Sequence, residues 1–228
     1  MSEAKRAAGE RAADLVTEGM VVGLGTGTTV RYALERLAER IRREGLAVRG
    51  VPTSRDTAAR ARALGIPLAT LAGLPGIDLT IDGADEIDPA FDMIKGGGGA
   101  LLREKVVAAI SRREVIVADR AKLVARLGVG VPLPVEVVPF ARPAVARRIA
   151  ALGATPAVRR GPTGGIYRTD NGNHILDCRF SGGIAGAAAL ERELARIPGL
   201  VESGLFVGLA HTLVVGEADG RTEVRERR

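Results

Sequence analysis

MVVGLGTGTTVRYALERLAERIRREG, residues 20–45, decides the reading of the fold. MVVGLG (20–25) is a short apolar run, which suits a strand buried on both faces. TGTT (26–29) supplies the turn and the start of a helix. VRYALERLAERIRREG (30–45) then reads as a helix that stops at Gly45, with arginine and glutamate interspersed as on a solvated, ion-paired face. A buried strand feeding an amphipathic helix is one half of a βαβ unit, and the rest of the chain shows whether the unit repeats.

It does. Upstream, residues 3–18 have the pattern of an amphipathic helix ended by Gly19. Downstream, VRGVPT (48–53) predicts a strand and SRDTAARARALG (54–65) a helix capped by Ser54. IPLATL and DLTIDGAD add two strands, 100–112 a helix, EVIVAD (114–119) a strand and RAKLVARLG (120–128) a helix. Such alternation predicts a mostly parallel sheet covered on both faces. Pro132, Pro134 and Pro139 mark a change of grammar. Beyond them come a strand (135–139), a helix (141–152), strands (155–160, 165–170 and 173–180), a helix (184–197) and a strand (200–207), with Asn171-Gly172 as a hairpin signal. If 155–160 and 165–170 form one interrupted strand, the order is β-α-β-β-α-β, the ferredoxin-like pattern. HTLVVG and TEVRER read as two strands returning to the first domain. The expected fold is therefore α/β: a doubly wound, mostly parallel sheet at 1–130 plus 208–228, with a smaller α+β ferredoxin-like domain inserted at 131–207.

Composition narrows the function. No run of about 18 apolar residues exists to span a membrane, and the charged N-terminus MSEAKRAAGERAADLV does not read as a secretory leader. One cysteine, Cys178, cannot form an internal disulfide, which suits a reducing cytoplasm; a small strand residue is the favoured reading over a reactive thiol. The net charge of +6 comes with only four Phe, two Tyr and no Trp, a poor supply of stacking surfaces, so nucleic acid is not the expected partner. A positive field favours a small anionic substrate. Lysine stands only at 5, 95, 105 and 122, all other basic residues are arginine, glutamine is absent, and asparagine occurs only at 171 and 173; a thermophile or a high-GC genome would give this bias.

Three segments carry the chemistry. Gly23-Leu24-Gly25-Thr26-Gly27-Thr28-Thr29 lies at a strand-to-helix junction, where glycines allow close backbone approach and a helix start offers N–H groups to an anion. It lacks the P-loop lysine and the third glycine of a dinucleotide fingerprint, so a phosphate or polyol cradle fits better than a nucleotide site. Asp82-Gly83-Ala84-Asp85-Glu86-Ile87-Asp88 follows a strand, where open α/β sheets bind ligands. Hydrogen bonding to sugar hydroxyls with proton transfer, a metal site and a solvated loop all compete there, although calcium-loop spacing is absent. Lys95-Gly96-Gly97-Gly98-Gly99 precedes a helix, so its N–H groups suit an anion-binding nest, and Glu104 falls in the first turns of that helix. Lys95, Lys105 and Lys122 lie in or near these segments, in a chain that otherwise avoids lysine. His174 and His211 have no partner at metal-ligand spacing and read as structural.

GLGTGTT, DGADEID, KGGGGALLREK and ADRAK, in this order, resemble the ribose-5-phosphate isomerases of the A type, and the likeness runs through VPLPVEVVPF to PGLVESGLFVG. The resemblance implies an aldose–ketose isomerase of the non-oxidative pentose phosphate pathway that needs no cofactor or metal and works as a cytoplasmic homodimer or higher homo-oligomer. It implies Glu104 as general base, with Asp82, Asp85 and Lys95 as polar catalytic groups. Thr26, Gly27, Thr28, Thr29, Asp82, Gly83, Ala84, Asp85, Lys95, Gly96, Gly97, Gly98 and Lys122 then match substrate-binding positions, and Lys5 is a further candidate for the phosphate. A coenzyme A transferase, an amino-sugar-phosphate deaminase and a non-catalytic sugar-phosphate sensor are the rival readings.

Overall fold

The computed structural model describes residues 2–227. In chain order its elements are α1 (Glu3–Ala13), β1 (Val21–Leu24), α2 (Val30–Glu44), β2 (Arg49–Pro52), α3 (Arg55–Ala63), β3 (Leu79–Gly83), β4 (Glu86–Ile87), β5 (Met93–Ile94), α4 (Leu101–Ala109) and β6 (Glu114–Asp119). There follow β7 (Leu133–Val137), α5 (Arg142–Ala151), β8 (Ala154–Val158), β9 (His174–Phe180), α6 (Ala187–Ala195), β10 (Leu200–Ser203), β11 (Leu205–Phe206), β12 (Thr212–Gly216) and β13 (Thr222–Glu226). They gather into two compact units. One holds the chain up to Ala84, Arg103–Lys122 and everything from Leu209; the other holds Asp85–Leu102 and Leu123–Gly208.

The first unit is a six-stranded sheet in the order β13-β12-β6-β3-β1-β2. Every pairing is parallel except that of the edge strand β13. Strand β1 lies between β2 and β3, so the winding reverses there, and the carboxyl ends of β1 and β3 flank the switch point at which such sheets hold ligands. Strand residues alternate between two cores. Val22 and Leu24 join Ala33, Leu34 and Leu37 of α2 and Ala8 and Ala12 of α1. Val21 joins Val51, Ile77 and Val107 of α4. Consecutive apolar residues such as Val21 and Val22 thus reflect cover on both faces. The capping residues behave as their chemistry dictates: Ser54 accepts the N–H of Thr57, and Gly45 closes α2 with φ +71°.

The second unit has two sheets. The larger, β10-β7-β9-β8, is antiparallel, and with α5 and α6 it forms the β-α-β-β-α-β pattern read from the sequence. The smaller, β11-β5-β4, draws on residues before α4 as well as after β10. Residues 85–102 and 123–130 cluster here, where pattern alone grouped them with the first sheet. Their apolar side chains decide it: Ile94 and Leu127 are buried with Leu133, Val135, Leu176 and Leu205.

Six local expectations need correction. IPLATL makes a single bridge from Leu68 to Gly50 and no strand; Pro67 has no N–H to extend a ladder, and Gly73, Pro75 and Gly76 follow at once. RAKLVARLG is a three-residue 3₁₀ turn, Arg120–Lys122, because Val124 N–H bonds to Ile87 O and Leu127 is drawn into the second core. Residues 165–170 make one bridge, Ile166 to Arg160. The Asn171-Gly172 turn does form, with Gly172 at φ +84°, but it closes a loop and does not join two ladders. The strand expected over 200–207 breaks at Gly204, where a Cβ would stand 2.3 Å from Lys95 O, and the chain changes sheets there. The first helix ends at Ala13, earlier than expected, and Arg40 of α2 donates to the carbonyls of Ala13 and Val16.

Several polar groups outside the candidate site have structural partners. Both asparagines of the chain, Asn171 and Asn173, donate to Glu136 Oε1 on β7, as does Thr169. Glu136 is fully buried, so these donors replace the water it gives up. His211 Nδ1 accepts the N–H of Glu114, and burial with Arg142 and Arg168 nearby pulls His174 below its ordinary range. Cys178 is buried on β9; burial, with Asp177 beside it, pushes the thiol up to about 12, which makes it an inert packing residue.

Candidate active site

In the first unit the switch point is built from threonine, glycine and one aspartate. Asp82, at the end of β3, is wholly buried, and its Oδ1 accepts the N–H groups of Thr26 (3.0 Å) and Gly83 (2.7 Å). This ties the loop after β1 to the end of β3. Gly25 is required for that approach: a Cβ there would lie 2.2 Å from Asp82 Oδ1 and 2.6 Å from Asp82 Cα. Gly23 is required for another reason, since a Cβ would strike Thr80. These two glycines serve strand-to-strand fit, whereas Gly27, with φ +136° and open space around it, is free to face a ligand.

The threonines divide in the same way. Thr26 Oγ1 lies 2.8 Å from Thr53 Oγ1, 2.9 Å from Ser54 Oγ and 3.2 Å from Thr57 Oγ1, and Thr57 in turn donates to Gly25 O. Its hydroxyl thus belongs to a buried cluster that seats the loop. The sequence marks Ser54 only as a helix cap and does not single out Thr53 or Thr57, although Thr53-Ser54 follows the end of β2 beside β1. Gly27 and Thr28 are exposed, Thr29 is half-buried, and Lys5 Nζ donates to Thr28 Oγ1 at 3.3 Å. Lys5 Nζ is also 4.0 Å from Asp119 Oδ2 at the end of β6, just before the turn that carries the half-buried Lys122. Glu104 lies in the first turn of α4, only 4% exposed, where the helix N-terminus favours a carboxylate. Ala84, half-buried, is the last residue of this unit before the chain passes to Asp85.

In the second unit Lys95 follows β5 and is 2% exposed, with Nζ 5.3 Å from the centre of the Phe206 ring. A buried ammonium over an aromatic face is held by the ring's negative surface. Gly96 (φ +100°) and Gly99 (φ +85°) bend the loop, and Gly99 N–H closes on Gly96 O. Asp85 Oδ2 accepts the N–H of Gly97 at 2.7 Å. The other acids of DGADEID have structural roles. Glu86, 2% exposed, accepts the N–H groups of Gly128, Gly130 and Val131, and Asp88 caps the turn at Ala90 and Asp92. Among the described residues no three His, Cys, Asp or Glu side chains gather as metal ligands would, and no helix is long and apolar enough to cross a membrane.

Comparison with known proteins gives this arrangement its context. Residues 49–220 match the family model of ribose 5-phosphate isomerase A (phosphoriboisomerase A). The chain belongs to the ribose 5-phosphate isomerase A family. It is 52% identical to the ribose-5-phosphate isomerase A of Roseiflexus castenholzii over 96% of this chain and 94% of that one. It is 54% identical to that of Gloeobacter violaceus over 95% and 93%. Among solved structures, the ribose 5-phosphate isomerase A of Methanocaldococcus jannaschii superposes with a TM-score of 0.93 at 39% identity, covering 97% of both chains. A D-ribose-5-phosphate isomerase solved in complex with phospho-erythronic acid superposes equally well, at 37% identity over 98% of this chain and 97% of that one. The α/β fold with its mostly parallel sheet is the family's fold.

The geometry makes one structural test direct. Gly25→Ala places a methyl group against both the carboxylate and the backbone of Asp82, so no rotamer change relieves it. The variant is expected to lose about 1–3 kcal/mol of stability, the usual penalty for overpacking. Thermal melting checks this; an unchanged midpoint would mean that β1 and β3 part without cost.

Proposed function

We propose that this chain interconverts ribose 5-phosphate and ribulose 5-phosphate by moving a proton between C2 and C1 of the open-chain sugar. The observation that carries the reading is the buried Glu104 carboxylate in the first turn of α4, in a chain matched to the family along nearly its whole length. Glu104 takes the proton from one carbon and returns it to the other. The cis-enediolate formed in between bears negative charge on oxygen. The Lys95 ammonium and the glycine loop stabilise that charge, as fixed donors do in an oxyanion hole. Asp82 and Asp85 are the groups among which the hydroxyl proton is passed and the furanose ring opened.

Gly27, Thr28 and Thr29 with Lys5 and Lys122 hold the phosphate; the bond from Lys5 to Thr28 supports this assignment. Thr26 acts by seating that loop, and Gly83 and Ala84 by carrying the backbone from Asp82 to Asp85. Gly96, Gly97 and Gly98 line the enediolate oxygens. No cofactor or metal enters the scheme. The same reading makes the working form a cytoplasmic homodimer or larger homo-oligomer.

The test is a direct assay of ribose 5-phosphate conversion in the presence of EDTA. Turnover that persists in the chelator is expected. Folded protein that leaves ribose 5-phosphate unchanged would sink the proposal.

A further inference from the structure

Four consecutive glycines have no side chains with which to hold a shape, and their backbone entropy makes an unsupported loop disorder. A nest that stabilises developing charge must nevertheless be rigid before the charge appears. The second unit shows what supplies that rigidity. Arg159, which follows β8, donates from Nη1 to Gly96 O (2.9 Å) and to Gly97 O (3.1 Å). The remaining edge of its guanidinium is held in a fork by Asp177 of β9, through Nε and Nη2. Tyr167 lies with its ring 5.9 Å from the Arg159 guanidinium and donates its hydroxyl to Gly98 O at 3.3 Å. Its hydroxyl also stands 2.2 Å from where a Gly99 Cβ would be, so the loop and the tyrosine fit only because Gly99 has none.

The planarity of the peptide unit turns these carbonyl bonds into statements about N–H groups. In a trans peptide the carbonyl of one residue and the N–H of the next lie in one plane and point in opposite directions. Fixing Gly96 O therefore fixes Gly97 N–H, which rests on Asp85, and fixing Gly98 O fixes Gly99 N–H, which rests on Gly96 O. Fixing Gly97 O fixes Gly98 N–H. That last N–H takes part in none of these bonds, and Gly98 is exposed. The clamp thus leaves one donor in the loop pointing away from its support.

We infer that Arg159, locked by Asp177 and backed by Tyr167, is a positioning residue that orients the Gly98 N–H for the anionic oxygen of the reacting sugar. The inference rests on the proposed isomerase reading, in which the glycine loop stabilises the enediolate. Arg159 touches no reacting atom and acts only through the loop. Lysine cannot replace it fully, since an ammonium cannot grip two carbonyls and a carboxylate at once in one plane.

The experiment compares full-length wild type with Arg159→Ala, Arg159→Lys and Tyr167→Phe. It measures kcat, KM and thermal midpoint for each with ribose 5-phosphate, at a temperature where every variant remains folded. Misplacing a fixed donor by about 1 Å is worth on the order of 10²-fold. Arg159→Ala should lower kcat/KM by roughly 10- to 100-fold, mostly in kcat, with Arg159→Lys and Tyr167→Phe in between. Added methylguanidine should recover part of the Arg159→Ala turnover without raising its midpoint. A lowered midpoint with kcat and KM within twofold of wild type would overturn the inference and leave the isomerase reading standing. Should Arg159→Ala fail to fold, Arg159→Lys decides by the same twofold criterion. A wild type inactive on ribose 5-phosphate overturns both.

Discussion

Glu104→Gln is expected to fold as the parent does and to turn over ribose 5-phosphate at least 10²–10⁴-fold more slowly, the usual contribution of a positioned general base. Glutamine matches glutamate in size and helix propensity, so α4 keeps its first turn. The amide has no lone pair basic enough to take a carbon-bound proton, and the loss should fall on kcat, because the carboxylate matters most while the proton is in flight. Exchange of the C2 proton with deuterated water provides an independent readout and should fall in parallel. Near wild-type turnover in this variant would remove Glu104 from the mechanism. Slow turnover with normal proton exchange would place the defect in ring opening or product release.

Glu86→Ala is expected to destabilise the second unit by about 3 kcal/mol or more while leaving no reacting group changed. The carboxylate holds Gly128, Gly130 and Val131 by three backbone N–H bonds. Each buried donor left unpaired costs about 1–3 kcal/mol, and the lower figure applies where water can reach the exposed edge of the 128–131 turn. Glu86→Gln should lose about half as much. Its amide oxygen still serves Gly130 and Val131, but its NH₂ faces the Gly128 N–H. Urea unfolding midpoints in the order wild type, Glu86→Gln, Glu86→Ala check the argument. Three equal midpoints would show that the turn stands without its carboxylate.

Glu86 also shows where a sequence is hard to read. Four acids in seven residues look like one functional cluster, yet in the structure they separate. Asp82 anchors the switch-point loop, Asp85 reaches the glycine loop, Glu86 holds a turn more than forty residues away in the chain, and Asp88 caps its own turn. Spacing shows that carboxylates are together in the chain; it does not show which N–H groups await them. The parallel sheet was legible because short apolar runs such as Val21–Leu24 and 115–118 alternate with helical patterns, one of which closes at Gly45. IPLATL, RAKLVARLG and 165–170 were not, because their propensities compete with tertiary demands: a proline without a donor, a leucine drawn into another core, and a turn tied to Glu136.

The site followed the same division. Glycine-rich turns and Lys95 stand out because each breaks a local habit of the chain, whereas Glu104 reads from pattern as an ordinary helix-start acid and is singled out only by the family resemblance. The hydroxyl cluster of Thr53, Ser54 and Thr57 and the Arg159–Tyr167 clamp do not. Serine at a helix start and arginine in an arginine-rich chain are ordinary, and their roles exist only through partners distant in sequence.

The strand order has a consequence for how the protein is made. Strand β12 lies inside the first sheet between β6 and β13, yet it is drawn from residues that follow the entire second unit. As the chain leaves the ribosome, β6 presents an unpaired parallel edge until Thr212–Gly216 emerges, about a hundred residues later. An open edge of apolar strand is a template for pairing with another nascent chain. The second unit, most of which emerges between Leu123 and Gly208, can meanwhile close around its own core. Vectorial synthesis therefore favours completion of the later-emerging unit before the one that begins the chain, and truncation before β12 leaves an adhesive, half-built sheet.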